Sequence, residues 1–387
     1  MNKKNTMKIF FSAGETSGDI LSAGLIAELK KRNKKYQFVG FGSLNMKKAG
    51  MKLLMDFSET SVVGVVEALK HVPRALYLYN KTKRILKKEK PDILVVVDCQ
   101  GFNLPLAKMA RKMGIRVVYF IPPQNFVWND VKKGANIVKR VDKIINIYRL
   151  GYEFYKKLGA DCDFVGHPVI DLNGKKHIKA ALKKKYKIKI LKRCIGLIPG
   201  TRAHELERIF PVMIESAELL SRNDDSLHFL IPAAGNAHMK KIKEYLKSVS
   251  FSYTVIVDDI DSITTLSDFV ITKSGTSVLN VAMAGVPYVV VYRISTLSFF
   301  IFAKIMGVAK KIKYVSWPNL MADKMIAREL LQGAVNSPNI VKEARRFLYK
   351  KKDKEAFKKR LLGFKKLLGK PGVFKRAGDS IEKFILK

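Results

Sequence analysis

Short β-branched runs alternate along the chain with longer stretches in which apolar residues recur at helical spacing. Strands are expected over Met7–Ser12, Phe38–Phe41, Ile93–Asp98, Val117–Ile121 and Lys143–Ile147, with Lys-rich amphipathic helices such as Ile20–Lys31 and Leu104–Met113 between them. This alternation predicts a parallel sheet covered by helices on both faces. The pattern then restarts. A second set of strands is expected over Cys194–Ile198, His228–Pro232, Tyr253–Val257, Asp268–Thr272 and Tyr288–Tyr292, with helices over Ala203–Ser221, Lys240–Ser248, Ser277–Ala284 and Leu297–Ile305. The fold class is α/β: two Rossmann-like doubly wound domains in series, facing a cleft, with ligands at the carboxyl ends of the strands.

A seam is expected within 169–192, where Gly174, Lys175, Lys176 and Lys183–Lys185 make the composition polar. The expected domains are therefore 1–172 and 173–340. Residues 341–387 form a Lys/Arg-rich helical tail whose Phe347, Phe357, Leu361, Phe364 and Leu368 recur at helical spacing and should pack on a domain surface. A length of 387 residues suits two cores. A hydrophobic share of 48% excludes a disordered chain.

Charge adds a constraint on partners. The 73 basic and 33 acidic residues give a formal net charge of +40, which favours an anionic partner: nucleic acid, anionic lipid or a phosphorylated substrate. A Lys-rich solvated surface gives the same sum. The basic residues are spread along the chain and match no RNA or DNA module, so no specific nucleic-acid partner is expected. Cys99, Cys162 and Cys194 form no CxxC pair, which fits a reducing, cytoplasmic setting without disulfides or a zinc site. The N-terminal segment is too short for a signal peptide, and no run reaches the roughly 18–20 apolar residues of a spanning helix.

Four strand-to-helix turns carry candidate chemistry. After the first strand comes Ser12-Ala13-Gly14-Glu15-Thr16-Ser17-Gly18-Asp19. Its glycines let backbone approach a ligand, but the spacing is not GxGxxG. Glu15 and Asp19 repel anions and suit sugar hydroxyls; helix capping by Ser17 and Asp19 is the alternative. The strand ending at Val97 delivers Asp98 to its tip, followed by Gly101 and Asn103. A carboxylate there can take a proton from an attacking hydroxyl, or cap the next helix.

In the second half, Gly200, Thr201, Arg202 and Glu205 open a helix after a strand. Exposed amides and a guanidinium fork suit a pyrophosphate; alternatively Arg202 pairs with Glu205. Ser274-Gly275-Thr276 forms a second anion cradle, and two such turns together point to a nucleoside diphosphate.

A fifth stretch contains Val62, Val63, Val65, Val66, Leu69, Val72 and Leu76, with Pro73 expected to end or kink any helix. Lys70, Arg74, Lys81, Lys83, Arg84, Lys87 and Lys88 follow closely. An apolar segment beside a basic cluster suits an anionic membrane surface; a buried helix with a solvated Lys face is the other reading.

In this order the motifs resemble the lipid-A-disaccharide synthase family. The matching pieces are Gly14–Asp19, Val63–Glu67, Asp98 with Phe102-Asn103, Val165–Pro168, Leu197–Arg202 with Glu205, Ser274–Thr276, Tyr292-Arg293, Ser316–Leu320 and Glu329–Gln332. The resemblance implies a glycosyltransferase B-type fold with no cofactor and no metal. It implies an inverting transfer of 2,3-diacylglucosamine from UDP to 2,3-diacylglucosamine 1-phosphate, giving a β-1,6-linked disaccharide. It also implies a peripheral position on the cytosolic face of the inner membrane; whether the chain is a homodimer is left open.

Carried onto this sequence, Asp98 is the expected base, with Glu15 and Asp19 orienting sugar hydroxyls. Gly14, Ser17, Gly18, Asn103, Gly200, Thr201, Arg202, Glu205, Ser274, Gly275, Thr276, Asn280, Arg293, Asn319 and Gln332 are the expected substrate-binding set. Three places depart from the family pattern. The family's Ser-Pro-Gln-Val-Trp-Ala-Trp segment stands here as Pro122–Asn129, Asn280 replaces a Glu, and Trp317 replaces a Leu. A related transferase with another UDP-sugar or lipid acceptor is the alternative these departures raise.

Overall fold

The structure is a computed structural model that describes residues 6–14, 16–56, 72–172, 178–295 and 313–387. The chain divides into two compact units. The first comprises residues 1–171 and 368–387, the second residues 172–367.

The first unit is built on a seven-stranded sheet in the order β3-β2-β1-β4-β5-β6-β7. Its strands are β1 (Met7–Ala13), β2 (Tyr36–Gly42), β3 (Lys52–Asp56), β4 (Ile93–Val97), β5 (Arg116–Phe120), β6 (Lys143–Asn146) and β7 (Cys162–Phe164). All pairs are parallel. The central run Ile93-Leu94-Val95-Val96-Val97 is wholly buried, as a strand covered on both faces must be. Phe10 meets Phe41 edge-on at 4.9 Å, in a core shared with Tyr119 and Tyr155.

The second unit carries a six-stranded sheet in the order β10-β9-β8-β11-β12-β13. Its strands are β8 (Arg193–Ile198), β9 (Leu227–Ala233), β10 (Tyr253–Val257), β11 (Phe269–Lys273), β12 (Tyr288–Tyr292) and β13 (Glu329–Leu331), again all parallel. In each sheet the order reverses beside the first strand of the unit, which is the switch point where doubly wound folds bind ligands.

The residues expected to form one tail, 341–387, are divided between the units. Phe347 stacks on Phe269 at 5.7 Å, and Phe357 packs edge-on to Tyr288, so the helices Ser337–Tyr349 and Lys351–Leu367 cover the second sheet. The last helix, Val373–Leu386, returns to the first unit. There Arg32 forms ion pairs with Asp379 at 2.7 Å and Glu382 at 2.8 Å.

Of the expected seam, residues 173–177, with Gly174, Lys175 and Lys176, lie outside the described residues, and the stretch that follows them is less loose than its composition suggests. Lys179–Lys185 is a helix, and Lys183 is buried with its ammonium on the Ile190 and Lys192 carbonyls. Pro73 likewise does not end a helix. It lies in the first turn of Val72–Glu89, where a missing N–H costs nothing. The expected helix over Leu297–Ile305 lies outside the described residues. Among the described residues no helix is long and apolar enough to cross a membrane.

Candidate active site

In the first unit the expected residues gather at the tips of β1 and β4, which are neighbours through Ala13 and Val97. Asp98 follows β4 with φ +49 and Cys99 follows with φ +44, two consecutive left-handed residues. Such a backbone is costly for residues with a side chain and needs outside support. Buried donors give that support: Tyr119 Oη donates to the Asp98 carbonyl at 2.8 Å, and Asn103 Nδ2 donates to it at 2.9 Å. Gly14 lies against the same tip, since a Cβ there would stand 2.5 Å from Cys99 Sγ.

Asp98 itself is half-buried. Burial first, and then the negative charge of Asp98, push the Tyr119 and Tyr148 phenols up, so both stay protonated beside it. Behind them lies His167. Its Nδ1 accepts from the Val169 amide at 3.1 Å, leaving Nε2 to carry the hydrogen 3.4 Å from Tyr148 Oη. Burial lowers the His167 pKa to about 3, so the ring is neutral and structural within its own unit.

Two expected ligand-binding residues of this unit are used otherwise. The Asp19 carboxylate is buried and accepts from the amides of Ser43, Asn45 and Met46 and from Asn45 Nδ2. It fixes the turn after β2 and has no free face for a sugar. Asn103 is fully buried. Besides the Asp98 carbonyl it binds those of Val97 and Ser12, and its oxygen accepts from Ser12 Oγ at 2.7 Å. Gly18 is buried within the helix Thr16–Arg32, against Ala13 and Val97, and Ser17 is partly buried in its first turns. Glu15, Val62, Val63, Val65, Val66 and Leu69 lie outside the described residues. Val72 and Leu76 belong to the helix Val72–Glu89, which exposes Tyr77, Lys81, Lys83 and Arg84.

In the second unit the turns after β8 and β11 are adjacent, since Thr272 pairs with Ile198. Glu205 organises them. Its Oε2 accepts from the amides of Thr201 at 3.1 Å and Arg202 at 3.3 Å, and its Oε1 meets Lys273 Nζ at 2.7 Å. Burial works against the charge of Glu205, but Lys273 and the amide bond outweigh it and hold the pKa below the usual carboxylate range. Gly200 has φ +106, and a Cβ there would collide with the Glu205 carboxylate, so only glycine fits.

This corrects the expected cradle: a protein carboxylate already occupies the Thr201 and Arg202 amides assigned to a diphosphate. Arg202 lies 3.9 Å from Glu205, farther than Lys273, and keeps a partly exposed side chain. Ser274 Oγ donates to the Val315 carbonyl at 2.7 Å, while Thr276 is exposed at the start of the helix Ser277–Ala284. Lys273 directly precedes the Ser274-Gly275-Thr276 turn, yet turn chemistry alone gives no reason to select it.

The remaining positions separate into partly open and fully committed groups. Asn280 is partly buried on the helix after the Ser274 turn. Arg293 donates to the carbonyls of Arg208 and Val335, and Gln332 Oε1 accepts from the Ile294 amide at 2.8 Å, so both brace the ends of β12 and β13. Asn319 is wholly buried. Its amide nitrogen donates to Ala327 and Glu329, and its oxygen accepts from the amides of Ile326 and Ala327. Every hydrogen-bonding position of Asn319 is spent, so it is a brace and not a ligand contact. Among the described residues no cluster of three or more His, Cys, Asp or Glu is placed to hold a metal ion.

The family model for lipid-A-disaccharide synthetase matches residues 9–374. The chain belongs to this family. A lipid-A-disaccharide synthase from Sulfurihydrogenibium is 35% identical over 397 residues, covering 98% of this chain and 99% of that protein. Among solved structures, the UDP-GlcNAc 2-epimerase from Neisseria meningitidis, bound to UDP-GlcNAc, is similar with a TM-score of 0.62 at 14% identity, covering 97% and 100% of the two chains. The calicheamicin glycosyltransferase CalG4 is similar with a TM-score of 0.63 at 13% identity, covering 98% of each. These likenesses give the fold, the B-type architecture of glycosyltransferases.

Proposed function

We propose that the chain is an inverting hexosyltransferase that joins two acylated glucosamines into the lipid A disaccharide. The family match across nearly the whole chain carries this reading. The donor is UDP-2,3-diacylglucosamine and the acceptor 2,3-diacylglucosamine 1-phosphate. The acceptor hydroxyl oxygen bonds to the anomeric carbon, its proton passes to Asp98, and UDP leaves with the electron pair of the broken bond. Asp98 suits the role because its tip is fixed by Tyr119 and Asn103 while its carboxylate stays half-buried. Arg202 and the Ser274–Thr276 turn supply the donor side, where stabilising the leaving diphosphate is the largest electrostatic task.

Both substrates carry acyl chains, so the protein meets the cytosolic face of the inner membrane through residues 62–88. The exposed basic side chains of Val72–Glu89 favour this. Replacing Val65, Val66 and Leu69 by Ser releases the protein from anionic vesicles in a sedimentation assay; unchanged sedimentation refutes the contact.

Asn280, standing in place of the family's Glu, favours a second reading in which another UDP-sugar is the donor. An amide offers a ribose diol one acceptor and one donor group, where a carboxylate offers two acceptors. A thin-layer assay with acylated and non-acylated UDP-sugars separates the readings: only the acylated donor is consumed if the first holds.

A further inference from the structure

The turn after β8 has spent the Thr201 and Arg202 amides on Glu205, and Ser274 Oγ donates to Val315. A diphosphate arriving at these strand tips therefore needs its positive charge from side chains. Lys273, the last residue of β11, is placed to give it. Its Nζ lies 2.7 Å from Glu205 Oε1, and it stands 3.5 Å from the position a Cβ on Gly275 would take. The ammonium is thus at the foot of the Ser274–Thr276 turn, beside the turn that opens with Gly200. Its side chain is 17% exposed, enclosed enough for its charge to be weakly screened yet still reachable.

An ammonium has three donor hydrogens, and Glu205 takes one of them. Both Glu205 oxygens point at protein donors, so the carboxylate is turned into the fold and fixes the ammonium from behind. With Arg202 beside them, the three side chains remain net positive.

We propose that Lys273 is a diphosphate-binding residue of the donor site, pre-positioned by Glu205 to take up the negative charge that develops on the leaving nucleoside diphosphate. This rests on the reading that the second unit holds a UDP-sugar. Lys273 acts only by ion pairing and hydrogen bonding, in the preorganised manner that costs no rearrangement during the reaction.

The test is calorimetric titration of the full chain with UDP and with uridine, in the wild type and in Lys273→Met and Lys273→Arg. The wild type binds UDP. Lys273→Met weakens UDP roughly tenfold or more, as expected for a lost charge-assisted hydrogen bond, leaves uridine affinity unchanged, and the arginine variant recovers most of the loss. Lys273→Gln, which keeps a donor toward Glu205, gives the same comparison if the methionine variant does not fold. Equal UDP affinity in wild type and variant overturns the proposal, and so does a parallel loss of UDP and uridine, which marks a strut. A wild type that does not bind UDP overturns the donor-site reading along with it.

Discussion

The Tyr119 hydroxyl donates a 2.8 Å hydrogen bond to the main-chain carbonyl of Asp98, reaching across from the neighbouring strand. With Asn103 on the same carbonyl, it holds Asp98 and Cys99 in a left-handed backbone that costs on the order of 1–3 kcal/mol per residue. Strain kept at a strand tip and braced from below fits a carboxylate that must point one way. Tyr119→Phe should cost about 1 kcal/mol of stability and lower kcat more than KM. A change in KM alone, with kcat intact, would separate the brace from the chemistry.

Asp98→Asn keeps the size of the side chain and removes its basicity. Turnover should fall by roughly two to four decades, the usual worth of a positioned general base, while donor affinity is retained. Near-normal turnover in steady-state assays removes Asp98 from the mechanism.

Gly200→Ala tests the Glu205 turn. The added methyl meets the Glu205 carboxylate, and φ +106 is unsuited to alanine. A loss of about 1–3 kcal/mol is expected in denaturant unfolding. Unchanged stability would mean the turn relaxes without Glu205.

Asn319→Ala leaves two backbone amides and a carboxylate without their shared partner. About 1–3 kcal/mol of stability should go, with KM for the donor unchanged in the folded fraction. A large rise in KM at unaltered stability would restore Asn319 as a ligand contact.

His167 links stability to pH. Its folded pKa of about 3 lies below the ordinary histidine value because burial opposes the charge. Between pH 6.5 and 3 the unfolded chain therefore binds the extra proton, so this residue lowers stability as pH falls through that window and has no such effect above it. His167→Gln should flatten the acid limb of the stability profile by up to about 1.4 kcal/mol per pH unit. An identical slope in the variant would show that His167 does not titrate as its burial requires.

The interior strands were legible in the sequence because they are buried on both faces and read as unbroken β-branched runs, as at Ile93–Val97. Of the four edge strands, β10 was legible, while β3, β7 and β13 were not. Lys52–Asp56, Cys162–Phe164 and Glu329–Leu331 are short and mixed, since an edge strand needs less apolar cover. Site motifs were legible as strand-to-helix turns, but the duties of single residues were not. Asp19, Asn103, Asn319 and Glu205 are polar residues near those turns, and sequence does not distinguish a side chain that meets a ligand from one that satisfies backbone amides. Only the hydrogen-bond partners make that distinction. The same limit hid Lys273, whose importance comes from Glu205, a residue far away in sequence and 2.7 Å away in space.

The reaction assigned to the chain is glycosyl transfer between two acylated sugars. Incubating the purified chain with UDP-2,3-diacylglucosamine and 2,3-diacylglucosamine 1-phosphate, and reading products by mass spectrometry, tests it most directly. A disaccharide 1-phosphate and one UDP per bond formed are the expected products. An intact donor and acceptor, under conditions where a family relative completes the reaction, would contradict that assignment.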